Sequence, residues 1–185
     1  MDKFSPVFNR IDELTQKKEH VIVAIDGNGA AGKSTLAELL KSVYSCNVFR
    51  ADDFFLQPYQ RTSVRLNEPG GNIDYERFEK EIINPLHSGK PFAYRPYDCR
   101  TQKLSEPVFV SPTPISVVEG CYCLHPRFGD IYDLKIFLSL DADEQRCRLS
   151  ARNAELFDRF MQEWVPMENK YFETFQIAAK CELVF

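Results

Sequence analysis

The sequence predicts an α/β domain built on a parallel sheet, from two observations. Short apolar runs, as at residues 21–25, recur along the chain and have the length of strands buried on both faces. Between such runs, apolar residues recur at helical spacing, as in the segment that starts at Lys33. Strands that alternate with helices favour a parallel sheet with right-handed crossover connections.

The first third of the chain supplies two strands and two helices in alternation. An amphipathic helix is predicted over residues 4–17, ahead of the strand at 21–25. The helix from Lys33 is followed by a second strand at 47–50. A loop rich in Pro, Gly and Asn then occupies residues 57–72.

The rest of the chain completes the sheet around a region of different character. Residues 91–113 carry short extended pieces broken by prolines, which indicates a lobe or hairpin rather than core sheet. The other predicted elements are a helix from Tyr75 that ends at Ser88 and Gly89, strands at 115–118, 135–140 and 182–185, and helices at 142–162 and 166–178.

Composition and charge exclude several classes of protein before any motif is considered. The chain has 185 residues, 44% of them hydrophobic, and a formal net charge of −4 with no basic block, so no nucleic-acid partner is expected. The six cysteines form no C-x-x-C pair and only three histidines are present, which argues against a zinc or disulfide site. With no apolar run of membrane length and a polar N-terminus, a cytoplasmic protein without a membrane partner is expected. The sequence is compatible with a homo-oligomer.

The most specific motif is a glycine-rich loop between the first strand and the next helix. It matches the P-loop pattern G-x-x-x-x-G-K-[ST] in full, which a random chain of this length does in about one case in a hundred or fewer. Such a loop directs backbone N–H groups at a phosphate, while Lys33 reaches the β- and γ-phosphates and Ser34 binds Mg²⁺. The residues predicted to bind the nucleotide are Gly27, Asn28, Gly29, Ala30, Ala31, Gly32, Lys33, Ser34 and Thr35.

Asp52 is the candidate catalytic base. It follows the second strand, and the carboxyl ends of parallel strands open into one crevice, so its carboxylate is expected to face the phosphates. There it could orient an attacking hydroxyl or accept its proton. The alternative is a solvated turn or a helix cap, a role that suits Asp53 better.

Glu119 is the candidate metal ligand. It ends the strand at 115–118 and could hold Mg²⁺ directly or through water. The rival, Asp141, stands three residues before Glu144 at the start of a helix, which is the spacing of an N-cap.

Arg146, Arg148 and Arg152 lie on the helix that follows. Arg148 and Arg152 are four residues apart on one face and could close over the β- and γ-phosphates, because the arginine fork binds phosphate oxygens bidentately. A solvated basic helix face is the alternative.

Several separated motifs in one order resemble the uridine kinase family of P-loop kinases, which is related to phosphoribulokinases, nicotinamide riboside kinases and bacterial pantothenate kinases. The resemblance runs from Ile22 to the C-terminus. Its motifs after the P-loop are Asp52-Asp53-Phe54-Phe55, Asn72-Ile73-Asp74, Pro96-Tyr97-Asp98, Val118-Glu119-Gly120, the arginine helix and Val165-Pro166-Met167.

The resemblance implies a P-loop NTPase fold with a five-stranded parallel core, ATP in the glycine loop and Asp52 as base. It also implies that Asp74 binds ribose hydroxyls and that Tyr97 lies beside a nucleobase. From the residues alone, Asp74 could equally cap the helix that starts at Tyr75, and Tyr97 could be a core aromatic. Residues 57–113 would then be a substrate lobe.

Two departures from the family bear on the acceptor. Uridine kinases have a histidine and an arginine after P-x-Y-D-F, where this chain has Gln102 and Lys103 within residues 99–103. The arginine-glycine-arginine element that usually follows the lid helix is also absent from residues 153–159. Phosphoryl transfer is compatible with both changes, but pyrimidine specificity does not follow.

Together these features predict a single P-loop kinase domain over residues 1–185, with a lid at about 142–165. It would use ATP and Mg²⁺ to phosphorylate a hydroxyl of a small metabolite, most simply a ribonucleoside such as uridine or cytidine. Nicotinamide riboside, pantothenate or a sugar phosphate are alternative acceptors. A GTPase switch is disfavoured because N-K-x-D fails at Phe172, and a motor because no hhhhD-E strand end is present.

Overall fold

The computed structural model describes residues 2–185. The strands in chain order are β1 Val21–Gly27, β2 Cys46–Arg50, β3 Phe92–Tyr94, β4 Tyr97–Asp98, β5 Lys103–Leu104, β6 Val108–Val110, β7 Ile115–Glu119, β8 Leu134–Leu138 and β9 Leu183–Val184. The α-helices are α1 Ser5–Thr15, α2 Lys33–Val43, α3 Ser63–Leu66, α4 Tyr75–Phe78, α5 Asn84–Ser88, α6 Ala142–Arg152, α7 Phe157–Arg159 and α8 Val165–Phe175. Single π-helical turns at Glu79–Ile83 and Phe160–Trp164 connect α4 to α5 and α7 to α8.

The central sheet has five parallel strands in the order β2-β7-β1-β8-β9, which confirms the predicted fold class. The register is set so that Glu119 at the end of β7 pairs with Ile25 of β1 on one side and Arg50 of β2 on the other. The carboxyl ends of these three strands therefore reach the same edge of the sheet, where α/β proteins bind ligands.

Burial on both faces explains the apolar strands. In β1, Val21, Val23 and Ile25 pack with α1 and α2, whereas Ile22 and Ala24 pack with the cluster that contains Phe78 and Tyr171. Because side chains alternate across a strand, each face of the sheet needs its own apolar set, and β1 supplies both. Within residues 2–185 none of the helices combines the length and apolar character needed to cross a membrane.

The region at 91–113 forms antiparallel pairs outside the main sheet, as the prolines predicted. β3 pairs with β6, and β4 pairs with β5. Stacking of Phe49 on Phe92, with ring centroids 5.8 Å apart, holds this lobe against the second strand of the sheet.

Two predictions about elements were wrong. The helix expected over 142–162 stops at Arg152, because Asn153 is extended and its side chain instead accepts a hydrogen bond from the Leu156 N–H at 3.1 Å. The loop at 57–72 is not structureless, since it contains α3. The predicted cap is confirmed: the Asp141 carboxylate accepts a hydrogen bond from the Glu144 N–H at 2.9 Å.

Gly120 allows a close approach between the end of β7 and the segment that carries Asp52. Its φ is +128°, and a Cβ at this position would lie 2.7 Å from the Ala51 Cβ. We expect Gly120→Ala to cost about 3 kcal/mol of unfolding free energy, from left-handed strain plus overpacking.

Urea unfolding of Gly120→Ala against wild type measures this cost. Gly89→Ala is the matched control, because Gly89 also has a positive φ of +65° but faces open space. It should lose only about 1 kcal/mol, from the backbone strain alone. Equal losses in the two variants would contradict a steric role for Gly120.

Candidate active site

The P-loop lies where its mechanism requires, between β1 and α2. At Gly27 a Cβ would come within 2.1 Å of the Leu138 carbonyl oxygen, so only glycine fits against β8. The Lys33 ammonium donates hydrogen bonds to the carbonyl oxygens of Gly27 at 2.7 Å and Asn28 at 2.8 Å. A cation is thus held at the start of the loop, beside the N-terminus of α2.

Side chains from neighbouring segments fix the tip of the loop. The Asn28 side-chain oxygen accepts a hydrogen bond from the Leu140 N–H at 3.1 Å. Gln145 on α6 donates to the Gly29 carbonyl oxygen at 3.2 Å, and Arg148 on the same helix donates to the Ala30 carbonyl oxygen at 3.3 Å. Nothing in the sequence pattern singled out Gln145.

Ser34 and Glu119, the two predicted metal ligands, are hydrogen-bonded neighbours. The Ser34 hydroxyl donates to a Glu119 carboxylate oxygen at 3.0 Å, and Arg50 lies 3.6 Å from the same oxygen. Burial, with Asp52 as a further cause, raises the pKa of the Glu119 carboxyl, while the Ser34 hydrogen bond lowers it.

These donors fit a magnesium ion. Mg²⁺ takes few protein oxygens and completes its shell with water and phosphate, so one hydroxyl and one carboxylate are sufficient. No cluster of three or more His, Cys, Asp or Glu side chains that could hold a metal ion is present in the part of the chain that the structure describes.

Asp52 is exposed on the 3₁₀ turn Ala51–Phe54, which directly follows β2. It is near enough to Glu119 for its charge to raise the pKa of that carboxyl. Asp53 differs, because it is partly buried and burial raises its own pKa. Of the adjacent pair, Asp52 is therefore the solvent-facing carboxylate, and its charge acts on Glu119.

The three arginines of α6 have different surroundings. Arg148 reaches the P-loop and also pairs with Glu144 at 2.7 Å. Arg146 instead lies over the ring of Phe157, 5.2 Å from its centroid. Arg152 is the exposed last residue of α6. The structure thus brings only Arg148 of the two predicted arginines to the phosphate loop.

Asp74 and Tyr97, both within residues 57–113, are buried, each 4% exposed. The Asp74 carboxylate caps α4 by accepting from the Arg77 N–H at 3.0 Å and takes a second hydrogen bond from Gln60 at 2.9 Å. Its capping role is therefore confirmed, and its role toward ribose stays a prediction. The Tyr97 hydroxyl is buried without a hydrogen-bond partner among residues 2–185.

Two acidic residues of the site escaped the sequence analysis. Asp26, which is fully buried, accepts hydrogen bonds from the N–H groups of Gly27 at 2.7 Å and Leu124 at 3.1 Å and from the Tyr171 hydroxyl at 2.8 Å. A carboxylate at Glu168 on α8 accepts from the Gly29 N–H at 2.9 Å. In the sequence, the only sign of either residue is an acid at the end of the apolar run before the P-loop. That sign points to Asp26 and not to Glu168.

Comparison with known proteins finds sequence similarity to uridine kinases and uridine kinase-like proteins. No protein-family model matches the sequence. A uridine kinase from Macrococcus caseolyticus is 26% identical over 171 residues, which cover 82% of this chain and 82% of that protein. Uridine kinase-like protein 3 of Arabidopsis thaliana is 25% identical over 159 residues, or 78% of this chain. The match covers 34% of that relative, so the chain spans about a third of its length.

A solved structure extends the similarity to the fold. The structure of a possible uridine kinase from Bacillus stearothermophilus superimposes with a TM-score of 0.69 at 21% identity, covering 97% of this chain and 99% of that one. The sequence matches and the five-stranded parallel sheet together confirm the resemblance to the uridine kinase family, and the chain has the fold of a P-loop kinase.

Proposed function

We propose that this protein is an ATP-dependent kinase that transfers the γ-phosphate to a hydroxyl of a small metabolite. The observation that carries the proposal is the grouping of Lys33, the Ser34–Glu119 pair and Asp52 at one edge of the sheet. A switch or motor needs the phosphate loop, but it does not need an exposed carboxylate directed at an acceptor. Relatives named uridine kinase support the same function.

In this proposal the chain acts mainly by position and charge. The P-loop N–H groups hold the phosphates, and Lys33 moves from the Gly27 and Asn28 carbonyls to neutralise their terminal charge. Asp52 orients the acceptor hydroxyl and accepts its proton as the phosphoryl group is transferred. Arg148 adds a second cation from the lid helix.

Ser34 and Glu119 would hold Mg²⁺, which would supply neutralising charge between the β- and γ-phosphates. The two oxygens are 3.0 Å apart, which supports the proposal that both would hold one ion. We propose residues 57–113 as the acceptor lobe and 142–165 as a lid that closes to exclude water.

The acceptor that we favour is the 5′-hydroxyl of a ribonucleoside such as uridine or cytidine. The relatives' names and the Asn72-Ile73-Asp74 and Tyr97 positions support a nucleoside. Gln102, in the turn between β4 and β5, and Lys103, the first residue of β5, are both exposed, at the positions where uridine kinases carry the residues that recognise pyrimidine. A cytoplasmic location and a small-molecule rather than nucleic-acid partner stay predictions.

An acceptor panel tests the proposal directly. Uridine, cytidine, nicotinamide riboside, pantothenate and ribulose phosphate are each incubated with the protein and Mg·ATP, and ADP release is measured. We expect ADP release to depend on one class of acceptor, with a phosphorylated nucleoside as product. Steady ATP hydrolysis that no acceptor changes would contradict a kinase and support a switch or motor.

Asp52→Asn should lower transfer by about a hundredfold or more, because general-base catalysis typically contributes that much. ATP binding, measured by calorimetry, should persist and should not weaken, since the amide keeps the shape of the carboxylate and removes a negative charge near the phosphates. Asp53→Asn is the matched control one residue away and should keep most of the activity. Unchanged turnover in Asp52→Asn would remove Asp52 from the base role.

Glu119→Gln should weaken divalent-metal binding by about tenfold, because a charged oxygen ligand is replaced by a neutral one. Mn²⁺ in the presence of ADP, followed by electron paramagnetic resonance, measures this binding without turnover. Glu38→Gln is the control, since Glu38 is an exposed carboxylate that also pairs with Arg50, at 2.7 Å. Equal metal affinity in Glu119→Gln and wild type would contradict the assignment.

A further inference from the structure

The Glu168 carboxylate lies against the loop that is predicted to bind phosphate. It lies on α8, which the phosphate-binding motif does not include, yet its carboxylate accepts the Gly29 N–H at 2.9 Å. Both carboxylate oxygens lie 3.2 Å from the position that a Gly29 Cβ would take. The carboxylate is thus packed directly against the loop, where an added Cβ would make a tight contact with it.

The surroundings of Glu168 act on the pKa of its carboxyl in opposite directions. Burial raises the pKa of the Glu168 carboxyl, and the charges of Asp26 and Asp52 raise it further. Lys33 and the Gly29 hydrogen bond act in the opposite direction. Lys33 is also the cation that the phosphates of a donor nucleotide would engage, so carboxylate and phosphate depend on the same partners.

Two hydrogen bonds next to Glu168 hold α8 against the rest of the fold. One turn after Glu168, the Tyr171 hydroxyl donates to buried Asp26 at 2.8 Å. Between them, the Lys170 ammonium donates to the Asn67 carbonyl oxygen in the substrate lobe at 2.6 Å. A phosphate that takes the Gly29 N–H must therefore displace the Glu168 side chain by rotation.

We propose that Glu168 is an affinity-setting residue of the nucleotide site: its carboxylate competes with the donor's phosphates for the Gly29 N–H and weakens nucleotide binding. This proposal rests on the proposed function, since it takes the P-loop as the donor site. As a consequence, the loop should bind a fully charged triphosphate with Mg²⁺ more tightly than a nucleotide with fewer phosphates. Only strong binding offsets the cost of displacing the carboxylate.

Glu168→Gln tests the proposal, because the amide oxygen can still accept the Gly29 N–H while the charge is gone. Calorimetric titration should show Mg·ATP binding about tenfold tighter than in wild type, since a like charge is removed from the phosphate site. Mg·ADP should gain as well, and adenosine, which has no phosphate, should bind as before. Glu173→Gln, an exposed glutamate on the same helix, should leave all three affinities unchanged.

The second variant, Glu168→Asp, keeps the charge but shortens the reach to Gly29, so it should tighten Mg·ATP less than Glu168→Gln. Thermal unfolding checks that both variants are folded. Unchanged or weaker Mg·ATP binding in folded Glu168→Gln would overturn the proposal, as would an equal gain for adenosine. If wild type bound no nucleotide, the proposed function itself would fail, which separates the two ideas.

Discussion

A buried carboxylate holds the site together. Asp26 receives hydrogen bonds from Gly27, Leu124 and Tyr171, which belong to the P-loop, the turn after β7 and α8. A fully buried acid is costly unless its oxygens are satisfied, and burial raises the pKa of this carboxyl. The three donors can be supplied only when all three segments are in place, so one residue fixes their relative positions.

The register of the parallel strands then positions the other residues of the site. Because Glu119 pairs with both Ile25 and Arg50, the P-loop, Glu119 and the turn that carries Asp52 all emerge at one edge of the sheet. Residues that are 85 positions apart, such as Ser34 and Glu119, become hydrogen-bonded neighbours at 3.0 Å. The chemistry we propose needs little beyond this placement, since phosphoryl transfer depends mainly on position and electrostatic stabilisation.

Local patterns were sufficient for the strands, the P-loop, the Asp141 cap and the carboxyl-end positions of Asp52 and Glu119, since each depends on neighbouring residues. The break at Asn153 was missed because side-chain capping overrode a helical pattern. Glu168 and Gln145 could not be found from spacing, because their contacts with Gly29 join distant helices. Arg148 and Arg152 share a helix face, yet only the packing of α6 shows which one reaches the loop.

Above all, we propose that the backbone N–H groups of the P-loop bind a triphosphate whose terminal phosphate faces Asp52. A crystal structure with Mg²⁺ and a non-hydrolysable ATP analogue tests it most directly. We expect the phosphates to lie inside the P-loop and the Lys33 ammonium to have moved from the Gly27 and Asn28 carbonyls onto them. The Asp52 carboxylate should face the terminal phosphate. A nucleotide bound elsewhere, or an Asp52 side chain turned away from that phosphate, would contradict it.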